Sequence, residues 1–296
     1  MSFTARLTVA IVGGIIIALL IAPLVAVVTA LAGWHFPFPR IFDRVAMVTV
    51  VVALLSDARG LHLISLLRDG FARPAKNTGR VGRGFAVGVA MIAVLLVLAE
   101  LFGSSAGAAI PAAASSTPKY LLSAIVIAII EEGFFRALVC GGMQNDLGRG
   151  TAIALSSLIY ALAHVLRSPA RFFVASYQPA AGLRTIEGSV AQLSNPAAVL
   201  ATVVGLFLLG VVLATAFVET RTVYFGAGLH AAVVVGAKLW PKLVVAPALL
   251  PAWVAGWGTQ PLISGAAAWL LALVVLALVR PLAGASRPLE ACVPAR

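Results

Sequence analysis

The sequence predicts an all-α protein: a polytopic transmembrane helix bundle of about eight spans, filling residues 1–296 as a single membrane domain. Composition is the first reason. Of 296 residues, 61% are hydrophobic before the 27 glycines are counted, and 10% are charged. A typical soluble domain is about 45–50% apolar with glycine included and about 25% charged. So few charges cannot cover the surface of a soluble enzyme, and they also exclude a disordered tail and a coiled coil. The second reason is that apolar runs recur at close to the ~20 residues that a bilayer core demands. The third is the placement of the basic residues, which lie mostly between those runs. In a soluble protein a net charge of +11 would raise nucleic acid as a partner. Here it reads as topology, because Lys and Arg gather in cytoplasmic loops, and no nucleic acid is expected.

The first apolar run, Leu7–Gly33, follows Arg6. It is similar to a signal peptide, and Ala30-Leu31-Ala32 has the look of a cleavage site. An h-region is only about 7–15 residues, however, and this run is roughly 27, so it is expected to be an uncleaved first span. The second span, about Ala46–Leu67, is the weakest, because Asp57, Arg59 and His62 interrupt it. The third is expected at about Phe85–Leu101, the fourth at Lys119–Gly142 and the fifth at Thr151–Leu166. The sixth is expected at Ala197–Val218, the seventh at Val223–Leu239 and the eighth at Leu262–Val279. The fifth and seventh are short and each holds a histidine, so both are expected inside the bundle rather than against lipid.

The loops give an orientation. Arg68–Arg83 carries Arg68, Arg73, Lys76, Arg80 and Arg83 against Asp69, which marks it as cytoplasmic. Gly103–Pro118 between its end residues holds no charge and is expected outside; the tail after Val279, with Arg280, Arg287 and Arg296, is expected inside. Both termini are then cytoplasmic. Arg167–Pro196, with Arg167, Arg171 and Arg184, is one mild exception. The Ala/Val/Leu/Arg bias reads as bacterial, so the expected location is the inner (plasma) membrane. The two cysteines, Cys140 and Cys292, make no disulfide framework. Cys292 stands fifth from the last residue, a spacing that does not predict C-a-a-X prenylation.

A charge at the bilayer centre costs roughly 2.5–3.5 kcal/mol on insertion scales. The fourth span nevertheless contains Glu131-Glu132-Gly133-Phe134-Phe135-Arg136. At 1.5 Å per residue, Glu131 lies ~18 Å from either end of that span. Glu132 and Arg136 are i and i+4, on one face, and form a pair that can neutralise itself. Glu131 is turned about 100° away and has no basic partner on its own helix, which suits a general base. Of the four histidines, His35 and His62 read as interfacial and structural. His164 and His230 each stand inside an apolar span, and Gly226, Ala227 and Gly228 beside His230 are small enough to let a neighbouring helix come close.

A carboxylate and two imidazoles in a membrane cavity support three chemistries. One is hydrolysis, with Glu131 taking a proton from water, His164 holding that water and His230 donating to the oxyanion. The second is a metal site, but there is no H-E-x-x-H and no pair of histidines at i, i+4, so zinc lacks a supporting motif and no cofactor is expected. The third is a proton path, which calls for polar residues along a route, whereas these cluster at one level. A non-catalytic scaffold, immunity or partner-binding protein, or a proton-coupled transporter, is the alternative reading.

The run Glu131 to Arg136 resembles the E-E-x-x-x-R motif of the CPBP family, the CAAX proteases and bacteriocin-processing enzymes also called Abi. Tyr160 and His164 resemble its second motif, an aromatic residue followed four later by His. His230 falls where its third histidine is expected, with one extra span between. The resemblance covers about 119–238, the expected catalytic core. It implies a glutamic intramembrane endopeptidase in which Glu131 and His164 activate water, His230 lines the oxyanion site, and Glu132, Arg136 and Tyr160 support them. The family pattern places a polar residue four positions after the last histidine. Here that position is Val234, so a second oxyanion donor is missing or comes from elsewhere, and losing one such donor costs ~10²–10³ in rate. The resemblance also implies a partner: a membrane-anchored peptide or protein substrate within the lipid bilayer. The loops Arg167–Pro196 and Pro241–Pro261 hold Tyr177, Trp253 and Trp257, with Trp240 just before the second, and read as an interfacial aromatic belt.

Overall fold

The computed structural model describes residues 1–102, 110–166, 168, 170–244, 250–257 and 260–284. Among them the regular elements are helices, without a strand. Arg167, Cys292, Arg287, Arg296 and parts of the loops 103–118 and 241–261, for which the sequence raised expectations, lie outside the described residues.

Helix α1 (Phe3–Leu31) starts at Ser2, whose hydroxyl accepts the Ala5 N–H. The N–H and hydroxyl of Thr4 both donate to Asp146, 2.7 and 2.8 Å away. An acidic side chain from elsewhere in the chain thus occupies an orphan donor of the first turn. Ala18, Ala22 and Ala26 are buried along the face that α1 turns to α2 (Phe38–Ser56), where the Thr49 hydroxyl donates to the Gly14 carbonyl at 2.7 Å.

The second span expected over 46–67 is broken. Helix α2 begins earlier, at Phe38, and ends at Ser56; α3 (Leu63–Gly70) follows after a turn in which His62 is left-handed, with φ 49°. The cause lies in the charges: Asp57 pairs with Arg6 of α1 at 3.0 Å, so the chain stops to present it. The basic segment expected to be a loop is largely helix as well, because α4 runs over Pro74–Leu101. Pro74 suits a first helical turn. Arg80 is held by Asn77 at 2.7 Å and by the Gly284 carbonyl at 3.2 Å.

The fourth expected span becomes a rod of three windings: α5 (Ile110–Glu132), a π-helical segment (Gly133–Cys140) and α6 (Gly141–Leu147). Helix α7 (Arg149–Val165) follows at Gly148, whose φ is +74°. The loop 167–196 contains α8 (Ala181–Ala191). Then come α9 (Pro196–Thr220) and α10 (Tyr224–Leu243), the latter longer than its expected span. After α11 (Ala252–Ala255), the eighth expected span is divided into α12 (Pro261–Ser264), α13 (Ala266–Ala277) and α14 (Val279–Ala283). The first division falls at Gly265, where a Cβ would stand 2.8 Å from the Trp253 carbonyl oxygen.

Helix α10 is central, packed against α4, α5 and α9, with α7 lying along α9. Two glycines set its closest approach. A Cβ on Gly84 of α4 would meet the Phe225 carbonyl oxygen at 2.1 Å, and one on Gly228 of α10 would meet the Val81 carbonyl oxygen at 2.1 Å. Backbones this close require glycine on both helices. Phe3–Leu31, Pro74–Leu101 and Pro196–Thr220 are long and apolar enough to cross a membrane.

Candidate active site

The site forms where α5 gives way to the π segment. Winding of this kind is rare, is built on i→i+5 bonds, and is frequent at functional sites. Glu131 and Glu132 are the last residues of α5, and Arg136 lies one turn into the π segment. Glu132 and Arg136 are both 0% exposed, with Arg136 Nε 3.4 Å from Glu132 Oε2. The guanidinium also lies over the Tyr160 ring, 4.8 Å from its centroid, and 6.0 Å from that of Phe135. These aromatic faces receive a cation whose Nη1 and Nη2 find no hydrogen-bond acceptor among the described residues.

Helix α7 carries Tyr160 and His164 one turn apart. His164 Nδ1 is 2.9 Å from the backbone carbonyl oxygen of Tyr160. A carbonyl only accepts, so Nδ1 carries the proton, and a neutral ring then presents the lone pair of Nε2. That Nε2 is 3.4 Å from Glu131 Oε2. Helix α10 brings His230, whose Nδ1 is 3.0 Å from Glu132 Oε1 and whose Nε2 is 3.7 Å from Glu131 Oε2. By the same reasoning His230 donates through Nδ1 to the carboxylate. A neutral His230 held this way presents the lone pair of Nε2, as His164 does. Tyr160 Oη stands 3.5 Å from His230 Nε2.

Glu131, His164 and His230, expected on three separate spans, thus share one small volume, with Tyr160 and the Glu132–Arg136 pair behind them. Two hydrogen-bond acceptors 3.4 Å apart, the Glu131 carboxylate and His164 Nε2, repel unless a proton lies between them or a water donates to both. The pair thus forms a point at which a water or a proton is needed. It is also sided. Glu131 and His164 are 21% and 19% exposed, whereas His230 is 2% exposed. On the same two helices Ile129, Ile130, Leu158 and Leu162 are exposed apolar residues. Val234, one turn beyond His230, packs with Ala124 and Ala128 and brings only methyl groups. Among the described residues no group of three or more His, Cys, Asp or Glu side chains is disposed to hold a metal ion.

Sequence reasoning missed the part played by Gly226, which was expected only to admit a helix. A Cβ there would stand 2.6 Å from Glu132 Oε2, so Gly226 makes room for the carboxylate. A glycine on α10 one turn before the buried histidine was the available signal. His35 and His62 lie away from the site: His35 Nδ1 is 3.1 Å from the Gly33 carbonyl oxygen on the surface, and His62 caps α3.

No curated protein and no solved structure gives a significant match to the chain. Residues 113–236 match the family model described as Type II CAAX prenyl endopeptidase Rce1-like. The matched segment contains Glu131, Glu132, Arg136, Tyr160, His164 and His230 and is thus similar to that family over the residues that build the site.

Proposed function

We propose that the chain is an intramembrane endopeptidase that hydrolyses a peptide bond in a membrane-associated or lipid-anchored protein or peptide. One observation carries this reading: Glu131 Oε2 faces His164 Nε2 at 3.4 Å and His230 Nε2 at 3.7 Å, in a cluster whose Glu131 and His164 side chains are part-exposed. A water held by Glu131 and His164 loses a proton to the carboxylate as its oxygen bonds to the scissile carbonyl carbon. The carbonyl π pair moves onto oxygen on the His230 and Tyr160 side. When that oxyanion collapses, the C–N bond breaks and the proton taken by Glu131 passes to the leaving nitrogen. The products are a carboxylic acid and an amine, and the protein returns to its starting protonation. Glu132 and Arg136 hold His230 in place from behind.

The exposed apolar residues Ile129 and Ile130 of α5 and Leu158 and Leu162 of α7 favour a substrate that approaches within the bilayer. The basic residues Arg73, Lys76, Arg80 and Arg83 favour a cytoplasmic location for their end of α4, with both chain termini on that side. The residue bias favours a bacterial plasma membrane. Val234 favours one second reading, a non-catalytic protein of the same fold, because no polar side chain stands one turn past His230.

The test is cleavage of a library of membrane-tethered peptides by purified protein in bilayers. The parent protein is expected to release fragments and Glu131→Gln to release none while keeping the parent melting curve. Equal cleavage by Glu131→Gln overturns the reading, and absence of cleavage by the parent favours the non-catalytic protein. Loss of cleavage with a chelator and its return with zinc would replace the Glu131 mechanism by a metal-assisted one.

A further inference from the structure

Neither imidazole, held as it is, supplies the proton that meets the oxyanion. Both imidazoles are anchored through Nδ1, His164 on the Tyr160 carbonyl and His230 on Glu132. Neutral rings held this way present acceptors, and Glu131 is itself an acceptor. Stabilising a developing oxyanion requires a donor already aimed at it. Val234 offers none. Tyr160 does, because its hydroxyl is the O–H within reach of the Nε2 edge of His230, at 3.5 Å.

We infer that the Tyr160 hydroxyl donates to the oxyanion of the tetrahedral intermediate, a catalytic part that rests on the peptidase reading above. Three features suit it to this. At 3.5 Å from His230 Nε2 its proton is weakly committed, since a good O–H donor lies well inside 3.2 Å of its acceptor. A charged oxygen forming nearby is the stronger acceptor and takes that proton as a hydrogen bond. The ring is also fixed. It packs edge-on against Phe135 with centroids 5.2 Å apart and lies 4.4 Å from the His164 ring centroid, so the hydroxyl cannot swing far. Finally, the Arg136 guanidinium lies over the ring, 4.8 Å from its centroid, and holds it from the other face. No bond to Tyr160 forms or breaks. Its proton leans toward the oxyanion as the carbon becomes tetrahedral and relaxes toward His230 when the C–N bond breaks.

The experiment compares parent, Tyr160→Phe and Glu131→Gln on a cleavable membrane peptide and on its phosphonate analogue, whose phosphorus is tetrahedral and carries the anionic oxygen. Tyr160→Phe is expected to lose ~10²–10³ in kcat, the measured scale for one oxyanion donor, with KM changed by less than about twofold. Its affinity for the phosphonate is expected to fall by a similar factor, while its affinity for an uncleavable peptide with a planar carbonyl stays at the parent value. A ring that only packs would weaken both ligands alike or neither, and either result overturns the inference. If Tyr160→Phe matches the parent in kcat while Glu131→Gln is inactive, the inference fails and the peptidase reading stands. If Glu131→Gln is as active as the parent, the peptidase reading itself fails. Should Tyr160→Phe not fold, 3,5-difluorotyrosine at position 160 keeps the ring and the O–H. Its more acidic O–H is expected to bind the phosphonate more tightly relative to the planar peptide than the parent does, and an unchanged ratio overturns the inference.

Discussion

The Nδ1 of His230 lies 3.0 Å from Oε1 of Glu132, and both side chains are almost wholly buried. The other oxygen of the same carboxylate faces Arg136 Nε at 3.4 Å. One acid therefore does two things: it fixes which nitrogen of His230 faces Glu131, and it balances a guanidinium that has no access to water. The second element of the E-E pair thus lies behind His230, with the first facing both imidazoles.

This double duty separates stability from turnover. In Glu132→Gln the amide oxygen can still accept from His230 Nδ1, but Arg136 is left as an uncompensated buried charge. Breaking a buried pair in this way costs about 3–5 kcal/mol, and a matching loss is expected in denaturant unfolding in micelles. Replacing the whole pair with apolar or neutral groups is often close to neutral for stability. Glu132→Gln combined with Arg136→Met is therefore expected to melt near the parent temperature while cleaving more slowly, because the anion behind His230 and the cation over Tyr160 are both gone. A double variant as unstable as the single one would refute the charge-balance account.

A second pairing ties the N-terminal helix to the rod that carries the site. Asp146 of α6 accepts from the backbone N–H of Thr4, 2.7 Å away, and from its hydroxyl. The Thr4 backbone N–H first, then its hydroxyl, holds the Asp146 carboxyl below the ordinary aspartate value of 3.8. A carboxyl depressed on folding contributes stability above its unfolded value and loses it as pH falls through its folded value. Asp146→Ala is therefore expected to melt below the parent at pH 7. The gap is expected to stay constant down to about the ordinary value, where the unfolded carboxyl begins to protonate, and to close below it. A gap that persists in acid would show that the ionised carboxylate is not the tie.

Much of this was legible in the residues, and the reason is cost. A carboxylate inside an apolar run is expensive, so Glu131, Glu132, Arg136, His164 and His230 stood out one by one. That the three helices bring them together was an expectation of the same kind, since each needed a partner. The winding was hidden. Nothing in Gly133–Cys140 marks a π turn, because Phe134, Phe135 and Leu138 fit an α-helix as well. The breaks at 57–62 and at Gly265 were obscured for a similar reason. Hydropathy averages over the window in which a charge pair such as Arg6–Asp57 or one crowded glycine stops a helix. The hydrogen bonds that set both histidine tautomers depend on contacts 98 positions apart, in the case of His230 and Glu132, or on a backbone carbonyl, which no pattern of side chains displays.

Two glycines two residues apart on α10 give the sharpest separation between fold and chemistry. A Cβ on Gly226 would stand 2.6 Å from Glu132 Oε2, the end of a side chain, and 3.6 Å from a Leu213 methyl. A Cβ on Gly228 would stand 2.1 Å from the Val81 carbonyl oxygen and 2.8 Å from the Phe85 nitrogen, both main chain. A carboxylate can rotate aside, whereas two packed backbones can only move apart. In Gly226→Ala, Glu132 is therefore expected to swing from its place, loosening its hold on His230 Nδ1. The cleavage rate is expected to fall by more than tenfold, at a stability cost within the ~1–3 kcal/mol of ordinary overpacking. In Gly228→Ala the α4–α10 contact must open, the melting temperature is expected to drop further than in Gly226→Ala, and the activity that remains is expected to track the folded fraction. Melting curves and cleavage rates measured on the same two preparations decide the matter, and equal losses of rate per folded molecule would refute the distinct roles assigned to the two positions.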